Sequence, residues 1–376
     1  MHTMKRYLPW LIGGLLLLSL TACNLAEVTP VPTQAPPTSV LPSLTPSQAS
    51  SPTVLVTEPV TAQIKQNNVQ SLQIGQRAAV RNIQDIVWSQ DSSTLAVLTQ
   101  NADTDGNQVF GVSVLDAKNL YTLSVYSSVG NRIAAVAPDG HTVAVIDKDL
   151  KAFSIVDANQ DGTTLGSKVT DFAISNISFS PDMRYVAVTK QEAWEVVLYD
   201  FNTLEEVRVL TGFETAAPVF DARFDYSPQW VAWLARGTMQ LQEVETGRLT
   251  SSLSHEDFVT AYTIAPQGMI LATCAGKTVD GLMVPAITLW DTTTSAEIQT
   301  LVMRESVYNL QFSPDEMLLA TAVSNDLQLW DPTSGSLLNT LSGHSDIILQ
   351  IAISPDQHSI ATAGLDNQLF LWQIIE

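Results

Sequence analysis

The chain has 376 residues, which is enough for one large domain with additional segments. Hydrophobic residues make up 45% and charged residues 15%, a balance typical of a β-rich protein that buries much apolar surface. The formal net charge is −20, and so acidic a surface repels a phosphate backbone, which argues against nucleic acid as a partner. The acidic excess suits solubility, and it also suits a partner with a basic surface.

The first 22 residues have the three parts of an export signal. Lys5 and Arg6 give a positive start, residues 8–20 are apolar, and Cys23 follows the sequence Leu-Thr-Ala. The apolar stretch is about 13 residues long, whereas a membrane-spanning helix needs about 20. The sequence therefore favours translocation and cleavage. The alternative is an uncleaved anchor helix with an incidental cysteine.

The four residues that end at Cys23 resemble the lipobox of bacterial lipoproteins. In that family the cysteine thiol receives a diacylglycerol, and a signal peptidase then cuts before it. The resemblance implies residues 1–22 as the signal peptide and Cys23 as the lipid attachment site. It also implies a place in the bacterial cell envelope, with the domain outside the cytoplasm and held to the membrane by acyl chains.

Residues 23–62 have a different composition. They contain eight Pro, seven Thr and five Ser, with no Gly, Lys or Arg. Proline at this density prevents helix formation and strand pairing, and it favours extended polyproline II conformations. We therefore predict a disordered tether over 23–62 that holds a folded domain away from the membrane.

Two sequence markers then recur seven times each, with a period of about 44 residues. The first is a short turn after an apolar strand, with its last residue at Asp91, Asp139, Asp182, Gln229, Gln267, Asp315 and Asp356. The second closes a later strand, at Leu115, Val156, Tyr199, Gln242, Trp290, Trp330 and Trp372. A repeat of this length fits a four-stranded propeller blade, so the sequence predicts seven blades.

The last repeat resembles a WD40 repeat most closely, with Gly343 before a histidine and a Ser-Pro-Asp turn at 354–356. In that family a His, a strand Ser or Thr, a turn Asp and a Trp form a buried hydrogen-bonded tetrad. The matching residues here are His344, Thr362, Asp366 and Trp372. The resemblance covers about 70–376 and implies an all-β, seven-bladed WD40-type propeller. The first four repeats lack the Trp.

The chain ends directly after the third strand of the seventh repeat, which leaves that blade without an outer strand. Residues 69–75 precede the first repeat and resemble the outer strand at 337–343. We predict that residues 69–75 complete the seventh blade, within a domain that spans 69–376. Such closure removes exposed sheet edges.

Two polar loops resemble the first half of a calcium-binding loop, because oxygen ligands alternate before a glycine. Their candidate ligands are Asp157, Asn159 and Asp161 in one loop and Asn101, Asp103 and Asp105 in the other. Position twelve should be Glu, but it is Lys168 in the first and Val112 in the second. A polar hairpin turn is the alternative that we favour, so we predict no metal and no cofactor besides the lipid.

Motifs that carry catalytic chemistry were not found in the sequence. The histidines show no metal-ligand spacing with each other or with a cysteine, and no phosphate loop or nucleophile elbow occurs. Cys274 lies in an apolar run and is typical of a small buried hydrophobe. We predict a protein that is not an enzyme and has no catalytic residues.

The WD40 resemblance implies a scaffold that binds a protein or peptide, and we expect the propeller to be monomeric. We expect binding on the face formed by the b–c and d–a connections, which also carries an insertion at 276–284. The candidate residues there are His255, Glu256, Arg304, Glu305, Ser345 and Asp346. The alternative for each of these residues is a solvated loop residue with no role in binding. The other functions considered are a propeller hydrolase, lyase or quinone-dependent dehydrogenase, and an envelope-assembly or sensing lipoprotein.

Overall fold

The computed structural model describes residues 61–191, 195–211, 221–224, 227–235 and 237–375. These residues form seven antiparallel sheets that follow one another along the chain, which confirms the seven-bladed all-β propeller. The predicted signal peptide, Cys23 and the predicted tether up to residue 60 lie outside the described residues. Within the described part, no helix has the length and hydropathy that a membrane crossing needs.

The chain enters the propeller through two strands and a short 3-10 helix. These are β1 (Thr61–Ala62), the 3-10 helix (Val69–Ser71) and β2 (Gln73–Ala79). Blades 1 to 3 follow, with strands β3 (Ile83–Trp88), β4 (Thr94–Ala102), β5 (Gln108–Asp116), β6 (Thr122–Val129), β7 (Arg132–Val136), β8 (Thr142–Ile146), β9 (Ala152–Asp157), β10 (Thr163–Val169), β11 (Ile174–Phe179), β12 (Tyr185–Lys190), β13 (Glu195–Asp200) and β14 (Glu206–Thr211).

Blades 4 to 6 repeat the four-stranded pattern, and blade 7 takes only three strands from the C-terminal end. The strands are β15 (Asp221–Arg223), β16 (Trp230–Ala235), β17 (Thr238–Glu243), β18 (Leu249–Ser254), β19 (Val259–Ile264), β20 (Ile270–Val279), β21 (Leu282–Asp291), β22 (Glu297–Val302), β23 (Val307–Phe312), β24 (Leu319–Val323), β25 (Asp326–Asp331), β26 (Ser336–Ser342), β27 (Ile348–Ile353), β28 (Ile360–Gly364) and β29 (Gln368–Ile375).

The recurring turn between the first and second strand of a blade is built by a serine and an aspartate. In blade 7 the Ser354 hydroxyl donates to the Asp356 carboxylate at 2.6 Å and accepts the N–H of Ser359 at 3.0 Å. Gln357, the residue after Asp356, has a left-handed φ of 60°. Blades 1, 3 and 6 make the same Ser–Asp contact, so this sequence marker reverses the chain by local hydrogen bonds.

The hydrophobic core consists of seven clusters, and each cluster lies between two neighbouring blades. Seven blades have seven interfaces only when the ring is closed. The closing cluster joins blade 1 to blade 7 and includes Leu95 and Val97 on one side and Ala361 and Leu371 on the other. Across the same interface, the Trp88 indole N–H donates to the Ala352 carbonyl at 2.9 Å.

An N-terminal strand completes blade 7, as predicted, but it is β2 at residues 73–79, so the predicted bounds of 69–75 are wrong by four residues. It pairs antiparallel with β29, from Gln73 opposite Gln373 to Ala79 opposite Gln368. The predicted segment is displaced because Val69 is only 1% exposed and packs in the core cluster between blades 6 and 7. Its carbonyl accepts a hydrogen bond from the Asn339 side chain at 2.7 Å, which ties the 3-10 helix to β26.

The predicted end of the tether at residue 62 is also wrong, because Thr61 and Ala62 form strand β1. They lie opposite Ile375 and Ile374, at the end of β29 that β2 does not reach. Ile64 follows and is 2% exposed within the same core cluster as the 3-10 helix. The folded part therefore includes residues 61–68, which sequence analysis had left outside the propeller.

The closing interface gives a direct stability prediction. Leu371 has no exposed surface in that interface, so we expect Leu371→Ala to lower the free energy of unfolding by about 2 to 5 kcal/mol, measured by urea denaturation. The matched control is Leu365→Ala in the same blade, where the leucine is 51% exposed and a change within about 0.5 kcal/mol is expected. Equal effects of the two substitutions would contradict this packing.

Candidate functional site

Four polar side chains of blade 7 form one buried hydrogen-bonded network. His344 Nδ1 lies 3.0 Å from both carboxylate oxygens of Asp366, and its Nε2 lies 2.8 Å from the Thr362 hydroxyl. The Trp372 indole N–H donates to the same hydroxyl at 2.9 Å. The structure thus brings together the four residues that the WD40 resemblance implies. Each buried polar atom has a partner, so the network rigidifies the blade.

The Asp366 carboxylate also orders the loop that leads into blade 7. Burial raises its pKa, but the hydrogen bonds from His344 and from the Ser345 N–H outweigh this effect, so the pKa of Asp366 lies below its usual value. The Ser345 N–H donates to Asp366 Oδ2 at 3.0 Å. The exposed residues Ser345 and Asp346 are therefore held on a fixed loop.

Blade 5 contains a partial copy of this network. His255 Nε2 lies 2.8 Å from the Thr273 hydroxyl, which also accepts the Trp290 indole N–H at 2.8 Å. No aspartate stands beside this histidine in the described contacts; its Nδ1 lies 3.2 Å from the Gly237 carbonyl. Burial lowers the pKa of His255. The structure therefore gives this candidate binding-face side chain an internal role.

The remaining blades have lost the network in stages. Blade 6 retains the Trp330 N–H donating to the Thr321 hydroxyl at 3.1 Å. In blade 1 the register positions of the Thr and the Trp are Val97 and Leu115, and both are buried in apolar clusters. In blade 1 this apolar pair leaves no buried group unsatisfied. In blade 4 the same positions are Trp233 and Gln242, whose indole N–H and Oε1 are buried with no partner in the described part of the chain.

The b–c and d–a connections lie at the same end of the ring, because neighbouring strands are antiparallel. The candidate residues Glu256, Arg304, Glu305, Ser345 and Asp346 are exposed on these connections. We call this end of the propeller the b–c/d–a face. The turns of the Ser-x-Asp marker and the c–d turns occupy the opposite face.

The most prominent feature of the b–c/d–a face is the hairpin of blade 5. Strands β20 and β21 pair from Ile270 opposite Asp291 to Val279 opposite Leu282. The turn consists of Asp280 and Gly281, with φ values of 52° and 80°, as a two-residue type I′ hairpin requires. Sequence analysis found the insertion at 276–284 but missed this rigid form, although Asp-Gly between apolar residues signals it.

The hairpin is fastened to the d–a connection before blade 5. The Glu256 carboxylate accepts the Thr278 N–H at 2.9 Å. A Cβ added at Gly276 would lie 2.9 Å from Asp257 Oδ2 and 2.9 Å from Met283 Sδ, so these two side chains cover the glycine together. The connection and the hairpin therefore form one surface.

Comparison with known families finds a match for the last repeat. The family described as "WD domain, G-beta repeat" matches residues 335–373, a range that covers most of blade 7 and the strand before it. Residues 335–373 are therefore similar to a WD40 repeat.

Curated relatives support the WD40 repeat family for the chain. Human "WD repeat and SOCS box-containing protein 1" is 33% identical over 25% of this chain and 23% of its own length. "Anaphase-promoting complex subunit cdh1" of Dictyostelium discoideum is 30% identical over 32% of this chain and 16% of its own length. "Small ribosomal subunit protein RACK1" of Candida albicans is 26% identical over 33% of this chain and 39% of its own length. The chain thus spans between about a sixth and two fifths of the length of these WD40 relatives.

Several oxygens of the two candidate calcium loops are engaged in hydrogen bonds of the hairpin turns themselves. Asp103 accepts the N–H groups of Asp105 and Asn107 at 2.9 and 2.8 Å, and Asp157 accepts the N–H of Asn159 at 2.9 Å. The other candidate ligands lie in the same hairpins: Asn101 accepts from Asn82, Asn159 accepts from Ser124, and Asp161 has a left-handed φ of 51°. Among the described residues, no cluster of three or more His, Cys, Asp or Glu could hold a metal.

Charged side chains at the centre of the ring were missed by sequence analysis. Asp85, Arg132 and Arg223 lie on the innermost strands of blades 1, 2 and 4. Burial raises the pKa of Asp85 to about 6, against the opposing effects of the Ile86 N–H and of Arg223. Arg132 donates to the Ser175 carbonyl of the next blade at 2.5 Å. The strand β7 was recognisable from the sequence, but which of its residues face the centre was not.

The WD40 network of blade 7 gives a second prediction. Thr362→Val keeps the side-chain shape but leaves His344 Nε2 and the Trp372 N–H without their shared partner. We expect the free energy of unfolding to fall by about 1 to 3 kcal/mol. Thr122→Val, at an exposed position of β6, is the control and should change it by less than about 0.5 kcal/mol. Denaturation curves that coincide for the two variants would refute a stabilising role.

Proposed function

We propose that this chain is a lipid-anchored extracytoplasmic scaffold that binds protein or peptide partners on its b–c/d–a face. WD40 propellers generally bind protein partners and are mostly not enzymes. Two of the relatives are named as parts of assemblies, one as a subunit of the anaphase-promoting complex and one as a small ribosomal subunit protein. The observation that carries the proposal is a closed, rigid ring whose b–c/d–a face presents exposed side chains on fastened connections.

The proposed anchor rests on the sequence of residues 1–62. A positive start, a short apolar stretch and the lipobox-like residues before Cys23 support acylation at this cysteine. The Pro-rich residues up to 60 would then separate the ring from the membrane. Such an arrangement would turn the propeller into a membrane-bound binding platform.

Labelling with a palmitate analogue in a bacterial host with lipoprotein export tests the anchor. We expect the label and membrane retention in the wild-type chain and the loss of both in Cys23→Ser, because only a thiol accepts the lipid. Cys274→Ser is the matched control and should keep the label, since Cys274 is buried in the blade 5 cluster and only 2% exposed. Label that persists in Cys23→Ser would refute lipid attachment there.

Site-specific photo-cross-linking in intact cells tests the proposed binding face. A photoreactive residue at Glu305 or Ser345 is expected to capture protein partners, because both positions are exposed on the b–c/d–a face. The same group at Thr293 or Thr333, exposed in c–d turns of the opposite face, is the control. Capture only from the control positions, or equal capture from both faces, would contradict the assignment.

A further inference from the structure

We propose that the hairpin of blade 5 and the connection before it bind a protein segment in which apolar residues are flanked by Lys or Arg. This inference rests on the proposed scaffold function and identifies the chemistry of its partner. We call the surface the blade 5 site, and it consists of Glu256, Asp257, Phe258, Asp280 and Met283.

The blade 5 site exposes two large apolar side chains, Phe258 and Met283, which are each 54% exposed. Leu282 is 69% exposed but points to the other face of the hairpin, because it neighbours Met283 in the same strand. Phe258 directly follows Asp257, whose side chain covers Gly276 together with Met283. Grouped apolar side chains with a polar rim mark interaction sites, whereas single exposed ones are ordinary. Methionine adapts its shape to a partner, which suits recognition of an extended segment.

The site is held in shape before any partner arrives. The paired strands reach the turn without interruption, with Thr278 opposite Met283 and Val279 opposite Leu282. The Asp257 carboxylate accepts the Phe258 N–H at 2.8 Å, which fixes the start of β19. Because little of this backbone must be ordered on binding, the apolar side chains can contribute to affinity at a small entropic cost.

The rim of the blade 5 site is acidic. Glu256, Asp257 and Asp280 are all exposed, and hydrogen bonds from Thr278 hold the pKa of Glu256 below its usual value, so it is ionised at neutral pH. Lys277 lies in the same hairpin, but its ammonium group is 2.6 Å from Glu297 Oε1 and 2.8 Å from the Thr300 hydroxyl. The charge of Lys277 also acts on Glu256, so Asp257 and Asp280 are the carboxylates left to attract a basic partner.

The acidic charge of the blade 5 site and of the whole chain determines which of the possible partners fits the site. A chain with a net charge of −20 repels a second copy of itself, and an acidic rim repels an anionic lipid surface. Complementarity favours a segment that places Lys or Arg against the carboxylates and inserts apolar side chains against Phe258 and Met283. Arg304, exposed on the next d–a connection beside Glu305, limits the acidic rim on that side.

Peptide binding to the full chain in zwitterionic detergent tests this inference by fluorescence anisotropy. The first peptide has Leu and Phe flanked by Lys, the second has Glu in place of Lys, and the third has Ser in place of Leu and Phe. We expect the first to bind about tenfold or more tightly than the other two, and to weaken as salt is raised. Binding to empty micelles is subtracted.

Matched substitutions locate the binding on the ring. Asp257→Asn with Asp280→Asn removes two charges and keeps the local fold, because Asn also accepts the Phe258 N–H and suits the left-handed turn position. We expect about tenfold weaker binding and a smaller salt dependence. Phe258→Ser with Met283→Ser should weaken binding by about tenfold or more, because both side chains are 54% exposed in the site.

The controls carry the same changes elsewhere. Met269→Ser alters a methionine that is 51% exposed at the opposite face of the same blade, and Asp149→Asn removes an exposed carboxylate from a turn of blade 2. Both should bind the first peptide like the wild-type chain. Near-ultraviolet circular dichroism verifies that every variant is folded.

Two results would overturn the inference: equal binding of the Lys and Glu peptides, or binding of the first peptide that the blade 5 substitutions leave unchanged. Binding to vesicles of anionic phosphatidylglycerol that those substitutions abolish would also overturn it, in favour of a membrane surface. The scaffold function fails separately, when cross-linking at Glu305 and Ser345 captures no protein. Failure of the peptides with retained cross-linking refutes only the partner chemistry.

Discussion

The packing of blade 7 against blade 1 is the interaction on which the rest of the structure depends. A four-stranded blade has two apolar faces, and a row of blades leaves one such face exposed at each end. Closing the ring buries both, here through Leu95 and Val97 against Ala361 and Leu371. The closure also brings together the two ends of the folded chain, because β1 and β2 both pair with β29. Stability of the ring and placement of its faces follow from this one interface.

The polar network is complete in blade 7 and partial or absent in other blades. Where its Thr and Trp remain, as in blades 5, 6 and 7, their hydrogen-bonding groups are paired with each other. In blade 1 both positions are apolar, at Val97 and Leu115. In blade 4 the same register positions are Trp233 and Gln242, and the Trp233 indole N–H and Gln242 Oε1 are buried without a partner among the described residues. The ring therefore does not need a satisfied network in every blade.

The number of blades could be predicted from the sequence because local hydrogen bonds build each recurring turn, as Ser354 and Asp356 do. The position of the closing strand could not be predicted, because the apolar residues before it suit either a strand or a packed 3-10 helix. Contacts of Val69 with distant parts of the chain determine that a 3-10 helix forms. The hydrogen bond between His255 and Thr273 could not be predicted for a related reason. The register of the paired strands brings the two residues together, and their spacing in the sequence does not reveal it. Likewise, the extra length of the blade 5 hairpin could be read from the sequence, but its contact with Asp257 depends on tertiary structure.

Hydrogen exchange of the full chain, followed by mass spectrometry, tests ring closure most directly. The account predicts that peptides covering residues 73–79 and 368–373 exchange as slowly as the corresponding outer and third strands of blade 3, at 206–211 and 195–200. Paired strands of a closed ring open only by local or global unfolding. Exchange over 73–79 at the rate of an unpaired segment, with blade 3 protected, would contradict the closed ring.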